Sequence, residues 1–258
     1  MSQSEQAQFW NTDSAQWRKQ EEGAQPLYTK MIACMETKSG QSILDIGCGT
    51  GYFLSLFDKK QVVCHGIDLS ESQLNYARTH LPQMEWKQAS MDAIPYADHS
   101  FDWVSCNNAL QFVPDPRLAL TEFKRVMKND AQLIIAVWDQ ADLNDALLYF
   151  NALARFSGRD ATTAIPFNLS APQQMERLVV ANGFELLMQD TVRYTRSIPN
   201  VPTALKALLS SGPAREAIQL AGYDAVAHDV AEAIQPFLQN DGSLRMQYAF
   251  RFLKVKKG

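Results

Sequence analysis

The residues Leu44-Asp45-Ile46-Gly47-Cys48-Gly49-Thr50-Gly51 run an apolar stretch into a glycine-rich turn that opens a helix. Glycine lets backbone pass close to a ligand in conformations that a Cβ forbids. Such a strand–turn–helix also suits a dinucleotide. Two details speak against that ligand. The spacing is GxGxG rather than GxGxxG, and Asp45 precedes the turn. An acid repels a pyrophosphate and favours a cationic amine. Asp68, in Ile67-Asp68-Leu69-Ser70, ends a second apolar run. Its carboxylate can accept two ribose hydroxyls or cap the next helix, and because Ser70 can fill the cap, the ribose role is expected. Asp92, in Ser90-Met91-Asp92-Ala93, offers an acceptor to an exocyclic amine beside apolar Met91. A fourth loop, Asn107-Asn108-Ala109-Leu110-Gln111, follows the run Phe101–Cys106. Open α/β sheets bind ligands at the carboxyl ends of their strands, where all four loops are expected to lie.

These loops need a sheet to hold them. Ser42–Ile46, Val62–Ile67, Phe101–Cys106 and Gln132–Trp138 are apolar, and helical patterns near 50–58, 71–80 and 116–128 alternate with them. That alternation describes βαβ units on a parallel sheet covered on both faces. After Trp138 the rhythm changes, with expected helices at 143–156, 172–182 and over 202–238, the last broken at Gly212-Pro213 and Gly222. A strand is expected at 184–198, and the period-two pattern Leu244, Met246, Tyr248, Phe250, Phe252 predicts the final one. Lys254, Lys256 and Lys257 are expected to form a solvated tail.

With LDIGCGTG, IDLS, SMDAIPY, FDWVSCNNALQFVPDP and EFKRVMK in this order, the chain resembles class I S-adenosylmethionine (SAM)-dependent methyltransferases of the UbiE-like, type 11 group over roughly residues 40–138. The resemblance implies a Rossmann-like α/β fold: a mostly parallel seven-stranded sheet, an antiparallel C-terminal strand, helices on both faces and helical lid insertions. It also implies a small-molecule acceptor, with S-adenosylhomocysteine as product. Asp45, Gly47, Gly49 and Gly51 would then surround the methionyl part, Asp68 the ribose and Asp92 the adenine with Met91 as an apolar neighbour, while the Asn107 backbone would sit near the methionyl amine; Cys48 and Leu69 are further cofactor-binding candidates. The flanks Phe9-Trp10-Asn11, Trp17, Gly212-Pro213 and Asp241-Gly242 resemble a looser small-molecule subgroup. A departure is Lys128-Asn129-Asp130, where the group has a Lys-Pro-Gly-Gly-like turn; Asn and Asp still suit a turn. The Lys-Gly-Ile-Gly-Ala-like stretch of the malonyl-carrier methyltransferases is missing, which disfavours that particular assignment.

The expected organisation is a helical lid over 1–38 and a SAM-binding domain over 39–258, with helical insertions near 139–172 and 200–240. Trp10, Gln111, Phe112 and Trp138 are candidates for an acceptor pocket. Sulfonium methyl transfer needs alignment and exclusion of water more than a base. His65, His80, His99 and His228 fall outside the ligand loops, so no catalytic residue is named. Cys34, Cys48, Cys64 and Cys106 lack metal-ligand or disulfide spacing, and no metal is expected. A net charge of −4 provides no footprint for nucleic acid. No apolar stretch reaches membrane-spanning length and the opening residues lack a secretory pattern, so a cytoplasmic protein without membrane insertion is expected. Two other readings stand beside the enzyme: a non-catalytic SAM-binding sensor or assembly partner, and a nicotinamide-dependent dehydrogenase.

Overall fold

A computed structural model describes residues 7–57, 62–158 and 166–258. Parallel strands β1 (Gln41–Ile46), β2 (Val62–Asp68), β3 (Glu85–Gln88), β4 (Phe101–Asn107) and β5 (Met127–Trp138) are joined by antiparallel β6 (Phe184–Ile198) and β7 (Leu244–Lys257). The order across the sheet is β3-β2-β1-β4-β5-β7-β6. Order therefore reverses between β1 and β4, and the carboxyl ends of these two neighbours open a crevice.

Ten helices of four residues or more flank the sheet among the described residues: α1 (Ser14–Gly23), α2 (Gln25–Met35), α3 (Tyr52–Ser55), α4 (Glu71–His80), α5 (Pro116–Val126), α6 (Ala146–Ser157), α7 (Gln174–Ala181), α8 (Val201–Leu208), α9 (Gly212–Ala221) and α10 (Tyr223–Ala233). Successive side chains of a strand point to opposite faces, which splits the core in two. Ile43, Trp103 and Ile134 pack on one face with α2, α6 and α8–α10. Leu44, Val104, Leu133 and Ile135 pack on the other with α5 and α7. Burial of these β-branched and aliphatic side chains, worth about 1.5–3 kcal/mol each, fixes the strands whose ends carry the loops.

Helix ends follow local chemistry. Asp13 caps α1, accepting the Ala15 and Gln16 N–H groups, and Ser70 caps α4 by accepting Gln73 N–H. Asp115 precedes Pro116, a pairing that starts α5. Gly183 adopts φ 75° just beyond α7, ending that helix as its position predicts.

Three expectations are corrected. Residues 128–130 are not a turn: β5 begins at Met127, and the β4–β5 register slips between Phe101 and Trp103 to absorb the early polar residues. The C-terminal lysines are not a solvated tail, because β7 continues to Lys257. Lys254 Nζ donates to Cys34 O at 3.0 Å, Lys256 pairs with Glu185 at 3.1 Å, and Lys257 Nζ donates to Met127 O. The helix expected near 50–58 is only the four residues of α3 within the described range.

Candidate cofactor and acceptor site

The glycine turn after β1 is tied to its neighbours by backbone. Gly47 and Cys48 N–H both donate to Ile67 O, at 2.8 and 3.0 Å. Gly47, Gly49 and Gly51 all have positive φ. A Cβ on Gly47 would collide with Ala109 of the β4 loop, so two strand ends approach each other there through glycine.

Asp45 is 2% exposed at the end of β1 and accepts from Ser105 Oγ at 2.7 Å and Asn107 Nδ2 at 3.1 Å, both from β4. Burial pushes its carboxyl up to about 7, against the Ser105 bond and with the neighbouring Asp68 adding to the rise. Asp68 accepts Gly49 N–H at 2.9 Å and Ser70 N–H at 2.8 Å, thereby bracing the glycine turn against the β2 loop. Burial raises its pKa as well, opposed by those N–H bonds. Cys48 is buried and its thiol is held protonated by the same environment.

A third acid was not legible in the sequence. Glu21 on α1 accepts Thr50 N–H at 3.1 Å and the Thr50 hydroxyl, reaching the glycine turn from above. Burial pushes it up to about 8, opposed by Thr50 and the Arg18 guanidinium. Its segment, Trp17-Arg18-Lys19-Gln20-Glu21-Glu22, reads as a solvated helix face, and nothing there sets Glu21 apart from Glu22.

One cavity joins these groups. Asp45, Gly47, Cys48, Gly49, Asp68, Leu69, Met91 and Asn107 line it, together with Trp10, Phe112 and Trp138. Gly51, Asp92 and Gln111 lie off its wall. Gly51 instead backs onto Trp86, 2.5 Å from where a Cβ would sit. Asp92 is exposed. Gln111 is 1% exposed, in the turn Leu110–Phe112 behind the wall. No histidine lines the cavity among the described residues: His65 pairs with Glu85 and His80 bonds Tyr76 O. Nor does any group of three or more His, Cys, Asp or Glu there have the arrangement of a metal site.

Several acceptor atoms in the wall are orphaned. Asn107 Oδ1, Asn108 Oδ1 and Gln73 Oε1 are buried without a protein hydrogen bond. Asn108 is held at φ 51°, a left-handed conformation Asn tolerates better than most residues, and its N–H donates to Ala136 O at 2.8 Å. Orphan acceptors beside three carboxylates suit a ligand that brings N–H and O–H donors and positive charge. An aminoacyl-sulfonium nucleoside such as SAM has that character.

The cover over this end is aromatic. Trp10 meets Phe112 edge to face at 4.7 Å and Trp17 at 5.3 Å, and Trp10 O accepts from Ser70 Oγ at 3.0 Å. Phe9 fills the space above Gly212 at the start of α9. At the far end, Tyr149, Phe150, Tyr194, Arg196, Tyr248 and Phe250 complete the wall, and none of these is a site candidate from sequence, where Tyr248 and Phe250 count only as strand residues.

The sheet order, the reversal at β1/β4 and a glycine turn between acids define a Rossmann-like class I methyltransferase architecture. Residues 44–135 match the family model described as "Methyltransferase domain", the model of the type 11 group. The chain is 26% identical over 62% of its length to the malonyl-[acyl-carrier protein] O-methyltransferase of Erwinia pyrifoliae, covering 61% of that protein. It is 32% identical over 43% of its length to the ubiquinone biosynthesis O-methyltransferase of Alkalilimnicola ehrlichii, covering 47% of that one. The chain thus spans less than two thirds of either relative. The solved structure of the YcgJ protein from Bacillus subtilis shares the fold, with a TM-score of 0.59 at 19% identity over 90% of this chain and 98% of that one. No helix among the described residues is long and apolar enough to cross a membrane.

Proposed function

We propose that the protein transfers a methyl group from SAM to a small-molecule acceptor. The observation that carries this reading is the single cavity running from the acids of the glycine turn to an aromatic chamber beyond Trp138. When bound, SAM supplies an electrophilic methyl on a sulfonium. Asp45 and Asp68 would hold the methionyl amine and ribose hydroxyls, assisted by the orphan carbonyl oxygens of Asn107, Asn108 and Gln73. Met91 and Leu69 would give apolar contact to the purine end. Trp10, Trp17 and Phe112 would exclude water from the reacting atoms. Residues 1–38 in this reading are a lid, latched to the glycine turn through Glu21 and Thr50.

Calorimetry with SAM and S-adenosylhomocysteine, followed by incubation of SAM with a metabolite extract, tests this. Expected are one site per chain and accumulation of S-adenosylhomocysteine. Absence of binding to either ligand would overturn the reading. Binding without turnover on any extract would leave the sensor or assembly-partner reading in its place.

A further inference from the structure

The distal half of the cavity is a chamber on β6 and β7. Tyr194 pairs in register with Tyr248, and Val192 with Phe250, so Tyr194, Tyr248 and Phe250 fall on one face of the antiparallel ribbon. Their rings form a near-parallel layer, with planes 13–19° apart and centroids 5.9–6.5 Å apart. Trp138 stands 4.6 Å from Phe250, and Phe150 meets Trp138 edge to face at 5.8 Å.

The charge in this chamber is one-sided. The three carboxylates of the cavity wall are all engaged at the glycine-turn end: Glu21 with Thr50, Asp45 with Ser105 and Asn107, Asp68 with Gly49 and Ser70. Among the described lining residues Arg196 is the sole side chain with a fixed positive charge. Its Nη2 donates to Lys19 O at 2.8 Å and its Nη1 to Gln20 Oε1. A guanidinium has five N–H donors, so these two contacts and the one with the Tyr248 hydroxyl still leave donors over. Tyr149, Tyr194 and Tyr248 gather around the same charge, which opposes the burial that keeps their phenols protonated. A cationic amine entering here would meet a like charge and no carboxylate of the lining; Asp145, which acts on Tyr248 from outside the lining, is engaged by the Gln247 N–H.

We propose that the acceptor is a flat conjugated ring compound with an acidic oxygen, held as its anion beside Arg196 and lying against the Tyr194–Tyr248–Phe250 wall. This rests on reading the cavity as a SAM-dependent methyltransferase site. The step then balances without a base. The oxygen lone pair forms the O–C bond to the methyl carbon, and the C–S pair leaves with sulfur. The negative charge of the anion and the positive charge of the sulfonium cancel, and no proton has to be taken up by the protein.

The test uses the full chain saturated with S-adenosylhomocysteine and titrated with 4-nitrophenol, whose phenolate is read by absorbance, at a pH below that of its free ionisation midpoint. The expected result is bound phenolate, with nitrobenzene binding more weakly and the trimethylanilinium cation not binding. Arg196→Gln should weaken the phenolate about tenfold or more, the loss of one charge-assisted bond, and Arg196→Lys should restore part of it. Arg193→Gln removes a guanidinium from an exposed position of the same strand, outside the lining, and should bind phenolate as the parent does. Probe bound as neutral phenol, no probe bound at all, tighter binding of the cation, an indifferent Arg196→Gln, or an Arg193→Gln that reproduces the loss would each overturn the assignment. Failure of the parent protein to bind S-adenosylhomocysteine would instead overturn the methyltransferase reading beneath it.

Discussion

Asp45, Asp68 and Glu21 are three carboxyls crowded around one glycine turn, and each is raised by burial. An acid whose pKa is raised by folding binds more protons folded than unfolded, so its ionisation costs stability as pH rises. For Asp45 the window runs from 3.8 to about 7, and for Glu21 from 4.5 to about 8. Within its window each group costs about 1.4 kcal/mol per pH unit. The ligand-free protein is therefore expected to lose thermal stability between about pH 5 and pH 8, and Glu21→Gln should flatten that slope in a scanning-fluorimetry series. A cationic ligand reverses the balance. It needs these carboxylates ionised, so affinity for SAM should rise over the same range with release of protons, measurable by calorimetry in buffers of different ionisation enthalpy. In the proposed complex Asp68→Ala would remove two charge-assisted bonds to the ribose, and it also frees the Gly49 and Ser70 N–H groups. Weakening of SAM binding by about 30-fold or more is expected, with a stability loss of about 1–3 kcal/mol. Undiminished binding in that variant would confine Asp68 to bracing the turn.

At the scale of elements, the glycine turn and α1 form one unit. Gly49 sits at φ 53°, and a Cβ there would run into Glu21, with Trp17 Nε1 at 3.3 Å. Gly49→Val is thus expected both to strain the turn and to lift α1, abolishing SAM binding while the strands beneath persist. Circular dichroism close to that of the parent, together with faster amide exchange over 14–23, would show this; normal SAM affinity would contradict it. What could be read in advance follows the same division. β2, α4 and β6 begin or end where the periodicity places them, and the turn Gly47–Gly51 declares itself, because local pattern fixes local backbone. The start of β5 does not: Lys128-Asn129-Asp130 has turn chemistry, and these residues fall in the irregularity between the pairs Phe101–Met127 and Trp103–Gln132, a strand bulge that local pattern does not announce. The far half of the site was illegible for a related reason. Tyr194 and Arg196 alternate with Arg193, Thr195 and Ser197 along an edge strand, which resembles a half-solvated surface until α1 is seen crossing it. Glu21 is hidden in the same way, since its burial comes from a turn 29 residues further along the chain.

For the whole molecule, the question is what size of acceptor can reach the methyl group. The cavity lies between the carboxyl ends of the strands and a cover contributed by three separate stretches: Trp10, Trp17 and Glu21 from the N-terminal segment up to α1, Tyr149 and Phe150 from α6, and Ser211 and Pro213 at the start of α9. These stretches are bound to one another. Arg215 donates to Asn11 O, Phe9 packs over Gly212, and Arg196 clasps Lys19 and Gln20. A flat docking surface for a folded protein or a duplex would need this cover removed, at the cost of the aromatic contacts Trp10 makes with Phe112 and Trp17. Long-range attraction does not favour a polyanion either, with a net charge of −4. Turnover of SAM is accordingly expected with a pool of soluble metabolites and not with bulk tRNA, rRNA or cell protein. Because no counterions are released from a polyanion, the rate should change little between about 50 and 200 mM salt, a range over which phosphate-backbone binding falls by about 10³–10⁵. A competition assay with labelled SAM decides the point: label entering RNA or protein faster than the metabolite fraction, with the steep salt dependence of phosphate contacts, would mean that the cover opens to admit a macromolecule.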